Sequence, residues 1–151
     1  MAESEGVGNP NGTDRTGWLR AALDVEIGLT ERERESLTLV IASVDGHGDD
    51  GDADPLARVL QVLAGALREG DLSMRRSKRE FALLLPGADR FAAAMVCQRI
   101  DGVVRAALRE ISEVDVSLDF GLAQHTRGIS TQEMISAAEA DLANARASHA
   151  A

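Results

Sequence analysis

Residues 37–44, Leu-Thr-Leu-Val-Ile-Ala-Ser-Val, form a nearly continuous apolar run, the pattern of a strand buried at the centre of a sheet. On either side the periodicity changes. Upstream, Trp18, Leu19, Ala22, Leu23 and Ile27 recur at helical spacing behind Asp14, a helix-starting residue. Thr30 followed by Glu33 fits a capping box, so the helix either restarts after Gly28 or runs unbroken to about Ser36. Downstream, Pro55 opens a helix with Leu56, Val59, Leu60, Leu63 and Leu67 on one stripe. An extended stretch over 72–76, a tight turn at Ser77 and Lys78, and an apolar strand over 81–85 then read as a hairpin.

The spacing beyond the hairpin predicts a helix over 89–109 with Phe91, Met95, Ile100, Val103, Val104 and Leu108 facing inward, Met95 and Cys97 as core packing. Residues 114–122 alternate: Val116, Leu118, Phe120 and Leu122 go to one side, Ser117 and Asp119 to the other, the mark of a half-buried antiparallel strand. Ser130 with Glu133 forms a capping box and Ile129 with Met134 a hydrophobic staple, so a last helix starts near Thr131 and reaches about Ala147. The order helix, strand, helix, hairpin, helix, strand, helix predicts an α+β fold, a mainly antiparallel sheet with helices on one or both faces. Residues 1–13, polar and glycine-rich, read as a disordered tail, leaving 14–148 as the domain.

With 151 residues, 44% of them hydrophobic, the chain has material for one core. Its net charge of −9 argues against a nucleic-acid partner and against an anionic membrane surface. No apolar run is long enough to span a bilayer and no leader is evident, and Cys97 is the sole cysteine, so a cytoplasmic location is expected. Asp50, Asp52 and Asp54 alternate in an acidic loop, but Pro55 and Gln61 stand where a calcium loop needs glycine and glutamate. His47 has no second histidine or cysteine nearby. No metal or cofactor is expected. The hairpin tip is strongly basic, with Arg75, Arg76, Lys78 and Arg79. Either it holds phosphates electrostatically, or its charges keep a hairpin edge soluble.

The hairpin resembles the signature of GGDEF domains, the diguanylate cyclase family. Arg68, Asp71, Arg75, Glu80, Phe81 and Pro86 fit the family's Arg-x-x-Asp, signature and strand-closing proline, but Ser77, Lys78 and Arg79 occupy the Gly-Gly-Asp positions. The resemblance is therefore to a degenerate member. Asp14, Thr16 and Gly17 resemble the opening motif, Phe120-Gly121-Leu122-Ala123 a family strand, and Ala138-Glu139 with Arg146 the family's last-helix residues. It implies a ferredoxin-like palm core like that of nucleotidyl cyclases.

The family's reaction uses two divalent metals held by carboxylates. Ser43 stands at the first ligand position, with Asp45 two residues on, and Arg79 reverses the charge at the second; the guanine-binding Asp falls on Ala53. Ser77 and Lys78 add side chains where paired glycines let the backbone approach phosphates. The expectation is a chain that is not an enzyme.

In the family, Arg-x-x-Asp forms an inhibitory site for the product, cyclic di-GMP. Arg68 and Asp71 match that pair, and Arg99 falls where a further arginine completes the site. A guanidinium fork suits guanine O6 and N7, and a carboxylate suits its N1 and N2 hydrogens. Two readings stay open. One is a cyclic di-GMP receptor at Arg68, Asp71 and Arg99. The other is a ligand-free interaction or dimerisation module, in which Asp71 only pairs or caps and Arg68 sits in the last turn of a helix, favoured by its dipole.

Overall fold

Leu37, Leu39 and Ile41 lie on one side of the first strand and Val40, Ala42 and Val44 on the other, and all six are buried. A strand apolar on both faces needs cover on both, and the chain supplies it. The computed structural model describes residues 15–47, 55–111 and 115–150. Its four strands are β1 (Leu37–His47), β2 (Leu72–Arg75), β3 (Glu80–Pro86) and β4 (Asp115–Gln124). They form one sheet in the order β2-β3-β1-β4, and every pairing is antiparallel. Helices α2 (Pro55–Leu63) and α3 (Arg90–Ile111) cover one face, packing Leu56, Val59, Ile100 and Val104 on Val40, Ala42, Phe81 and Leu83. Helices α1 (Arg15–Glu33) and α4 (Thr131–Ala150) cover the other, packing Leu19, Leu23, Met134 and Ala138 on Leu39, Ile41, Ala82 and Leu84. The α+β reading and its palm-type sheet stand. Among the described residues no helix is long and apolar enough to cross a membrane. The expected tail, the opening motif at Asp14 and the acidic loop with Asp50, Asp52, Ala53 and Asp54 lie outside the described residues.

Several boundaries differ from expectation, each for a packing reason. Helix α1 does not restart at Thr30: that residue is buried inside one continuous helix. The helix ends where Arg34 turns left-handed (φ 59°) and the Glu35 N–H reaches the Thr30 carbonyl at 3.2 Å, a C-terminal cap without glycine. Helix α2 stops at Leu63 and gives way to a 3-10 turn, Ala64–Ala66, so the predicted helix does not reach Leu67. By contrast the capping box of α4 forms as predicted: Glu133 N–H donates to Ser130 Oγ at 3.0 Å, and Ser130 N–H to Glu133 Oε1 at 2.9 Å.

Helix α3 is rotated relative to its prediction. The residues it buries are Ala93, Cys97, Ile100, Val104 and Leu108, whereas Phe91, Met95 and Val103 face solvent at 75%, 54% and 42% exposure. At 3.6 residues per turn Phe91 lies about 180° around the helix from Ile100, so the two cannot share a face. Small Ala93 fills an inward position instead, and Cys97 is in the core as expected; burial pushes its thiol up to about 12, leaving it protonated and unreactive.

Strand β4 is likewise not half-buried. Val116, Leu118 and Leu122 join one core while Ala123 joins the other and Asp119 is buried beside it. As an edge strand β4 must protect its backbone: Leu122 N–H donates to Asp141 Oδ2 at 2.8 Å, and the Leu122 carbonyl accepts from Arg90 Nη1 at 2.7 Å.

Glu31 ties α1 to the chain that follows β4. Glu31 Oε2 pairs with His125 Nε2 and accepts the Gly128 N–H, both at 3.1 Å. The Gly128 hydrogen bond, then that of His125, holds the Glu31 carboxyl below the usual glutamate range. A carboxylate of lowered folded-state pKa adds stability above its unfolded value and loses it as pH falls through the folded value. Glu31→Gln is therefore expected to lower the urea midpoint relative to the parent at about pH 7, with the difference closing at about pH 3.

Candidate functional site

Between α2 and β2 the chain reverses over Arg68-Glu69-Gly70-Asp71. Leu67 is extended (φ −95°, ψ 153°) and Gly70 takes φ +97°, a left-handed conformation that glycine adopts without strain. The Asp71 N–H closes the turn on the Arg68 carbonyl at 3.1 Å. The Asp71 carboxylate then locks it. Its Oδ2 accepts the Arg68 N–H at 3.0 Å and Nε–H at 3.5 Å, and its Oδ1 takes Nη2–H at 3.4 Å. Arg68 Nη2 also donates to the Pro86 carbonyl at 3.1 Å, across to the end of β3.

The two partners are used differently. The Asp71 side chain is 2% exposed and that of Arg68 59%, so the acid is spent in holding a guanidinium that stays open to solvent. Arg99, on α3, donates Nη2–H to the Ala66 carbonyl at 3.0 Å, two residues before Arg68. Arg68 and Asp71 thus share one turn, and Arg99 reaches the 3-10 turn that precedes it. The structure also corrects one detail: Arg68 follows an extended residue and is not in the last turn of a helix, so no helix dipole holds it.

Beside this turn is a cleft of about 390 Å³, lined by Arg68 together with Glu26, Glu33, Glu35 and Glu69, and by Thr30 and Pro86. Burial, and then the nearby Glu33 charge, raises the Glu26 carboxyl above its usual range. One cation among four acids makes a polar cleft that offers carboxylate acceptors to N–H donors.

At the opposite end of the sheet is the hairpin tip. Arg75 folds under the turn, Nε donating to the Ser77 carbonyl at 3.2 Å and Nη2 to the Lys78 carbonyl at 3.3 Å. Arg76, 13% exposed, is clamped between Glu80 (3.3 Å) and Glu139 of α4 (2.9 Å). Two of the four expected tip cations are therefore built into the turn. Lys78 and Arg79 are exposed, as is Ser77, whose Oγ accepts the Arg79 N–H at 3.4 Å. The Arg79 carbonyl accepts the Val44 N–H at 2.8 Å, which fastens the tip to β1, while Phe81 is fully buried.

Ser43 is buried on β1, flanked by Glu80 on β3 and Asp119 on β4, with Asp45 two residues further. Its Oγ has no hydrogen-bond partner, nor does the buried Arg76 Nε. Asp119 pairs with His149 of α4. Among the described residues no three acidic, histidine or cysteine side chains are grouped as a metal site. The Glu139 tie to Arg76 and the carboxylates of the cleft escaped the sequence reading. Both join residues far apart along the chain, Arg76 to Glu139 and Glu26 to Glu69, and no local pattern marks such pairs.

The sequence matches the family model described as "Diguanylate cyclase, GGDEF domain" over residues 42–151. No curated protein matches it. Among solved structures it is similar to the diguanylate cyclase SiaD from Pseudomonas aeruginosa, in complex with its activator SiaC, at 29% identity and a TM-score of 0.78. That similarity covers 95% of this chain and 57% of SiaD, so the chain spans little more than half of that protein. The GGDEF domain of DgcB from Caulobacter crescentus, in complex with c-di-GMP, shares the fold at 18% identity and TM-score 0.76 over 88% of this chain and 82% of that one. So does the active GGEEF domain of a diguanylate cyclase from Vibrio cholerae, at 15% identity and TM-score 0.72 over 86% and 88%.

These matches correct the expectation that the chain is not an enzyme, because the family is that of the diguanylate cyclases and its neighbours include SiaD and an active domain. The expectation rests on Ser43, Ser77, Lys78, Arg79 and Ala53 at signature positions; in the structure Ser43 has the carboxylate-bearing residues Glu80 and Asp119 as its partners in the adjacent strands. With nearly three quarters of its length matched, from the middle of β1 through α4, the chain belongs to the diguanylate cyclase GGDEF-domain family.

Proposed function

We propose that this GGDEF domain, though its signature turn reads Ser77-Lys78-Arg79, binds cyclic di-GMP at the turn formed by Arg68 and Asp71, with Arg99 beside it. The observation that carries the reading is the pre-set Arg68 guanidinium: Asp71 and the Pro86 carbonyl hold one edge while the side chain stays 59% exposed. A guanidinium already fixed in place loses little freedom when it meets a ligand. The acids of the adjacent cleft favour a base edge over a phosphate as what Arg68 meets. Guanine offers O6 and N7 to the guanidinium and N1–H and N2–H to a carboxylate. Buried Asp71 serves as the positioning group for Arg68, and the cleft glutamates replace it as acceptors. DgcB, solved with c-di-GMP, gives this fold a precedent for the ligand.

Titration calorimetry with cyclic di-GMP tests the reading. Binding at about 1–10 µM is expected, weakened at least about tenfold in Arg68→Ala, and to a smaller degree in Arg99→Ala. Absence of heat at about 1 mM ligand rejects it.

A further inference from the structure

A second cavity, of about 280 Å³, opens where the end of α1 meets the chain after β4, and is lined by Thr30, Glu31, Arg34, Glu35, His125 and Arg127. It shares Thr30 and Glu35 with the cleft beside Arg68, but Arg68 itself does not line it. Its charges are unequally committed. Glu31 is occupied, pairing with His125 and accepting the Gly128 N–H. Arg127 acts on that carboxylate through its charge alone, after the hydrogen bonds of Gly128 and His125. Among the described residues the guanidinium groups of Arg34 and Arg127 make no hydrogen bond or ion pair.

The backbone marks the same place. Among the described residues Arg34 is the one non-glycine with a left-handed φ, 59°, and the other positions of that kind, 70, 87 and 128, hold glycine. A side chain at such a φ carries strain, and glycine would end α1 without it. A strained arginine where glycine would serve points to a use for the guanidinium.

We propose that this cavity binds a phosphate group, free or at the end of a small monoester, between the guanidiniums of Arg34 and Arg127. Guanidinium forks take phosphate oxygens in pairs, and two of them match the charge of a phosphate near neutral pH. The opposing charges are fewer. Glu35 is the one carboxylate of the cavity whose oxygens make no hydrogen bond or ion pair among the described residues. The negative end of α1 is softened where the Glu35 N–H caps the Thr30 carbonyl at 3.2 Å. The balance is a modest attraction, with a dissociation constant of about 1 mM. The cavity is smaller than the ~300–1,000 Å³ of ordinary ligand pockets, so it suits one phosphate with a few atoms attached and not a nucleotide. This inference rests on other residues than the cyclic di-GMP proposal, and its test uses no nucleotide.

Thermal unfolding of the full chain near neutral pH is compared in about 10 mM phosphate and in sodium chloride of equal ionic strength. A roughly tenfold excess over the dissociation constant should raise the melting temperature by about 5 °C. Glycerol 3-phosphate in place of inorganic phosphate distinguishes the sources: a larger rise identifies a monoester as the ligand, an equal or smaller one free phosphate. Arg127→Gln is expected to leave less than about 1 °C of the rise. Arg34→Gly should do the same, although without phosphate it melts at or above the parent, because glycine takes φ 59° freely. An Arg34 that only capped the helix would show that gain and keep the rise. Arg68→Ala, outside the cavity, keeps it. The proposal is overturned by a parent that phosphate does not stabilise, by a rise that survives in Arg34→Gly or in Arg127→Gln, or by one that Arg68→Ala removes.

Discussion

Gly121→Ala is expected to destabilise the domain by about 3 kcal/mol, lowering the melting temperature by about 10 °C. The glycine lies on β4 directly beneath α4. A Cβ built there would sit 2.3 Å from both the Ala138 carbonyl oxygen and the Leu142 backbone nitrogen, and 2.7 Å from the Leu142 Cα. All three atoms are backbone, so no rotamer change relieves the clash, and the helix must lift as a body from the strand. Lifting it loosens Met134, Ile135, Ala138 and Leu142 from Ile41 and Ala123. It also pulls Asp141 from the Leu122 N–H and Glu139 from Arg76. Urea denaturation checks the magnitude. A change below about 1 kcal/mol would mean that α4 rides on β4 less tightly than the geometry requires.

Phe81→Ala is the second large effect, about 4 kcal/mol by the same measurement. Phe81 is the largest fully buried side chain among the described residues, on β3 between β1 and β2, where it pairs with Ala42 and Arg75. Truncating it leaves a cavity that the surrounding Val40, Leu83 and Leu56 cannot close without moving the sheet. The loss is local as well as global. Phe81 anchors the strand directly after Glu80, and so the turn that carries Ser77, Lys78 and Arg79. Amide exchange at residues 76–80 should therefore rise more in Phe81→Ala than in Gly121→Ala at equal loss of global stability, because only the former removes the turn's own support.

Much of the architecture was legible along the chain. The apolar run at 37–44 could be satisfied only by cover on both faces, so β1 had to be central. The stripe Leu56-Val59-Leu63 and the capping box at Ser130 and Glu133 set α2 and the start of α4 from local physics alone, since each depends on residues within a turn or two. The hairpin residues from Arg68 to Pro86 were readable for the same reason, and with them the family.

Tertiary structure decided the rest. Which face of α3 turns inward depends on how closely the sheet approaches, and so on Ala93 and Cys97 being small. Whether Asp71 meets a ligand or Arg68 depends on a turn geometry set by Gly70. How many tip cations remain exposed depends on Glu139, more than sixty positions away. Periodicity reports what a segment prefers with its near neighbours. Charge pairing, close packing and exposure are properties of surfaces brought together by the fold, and no segment carries them by itself.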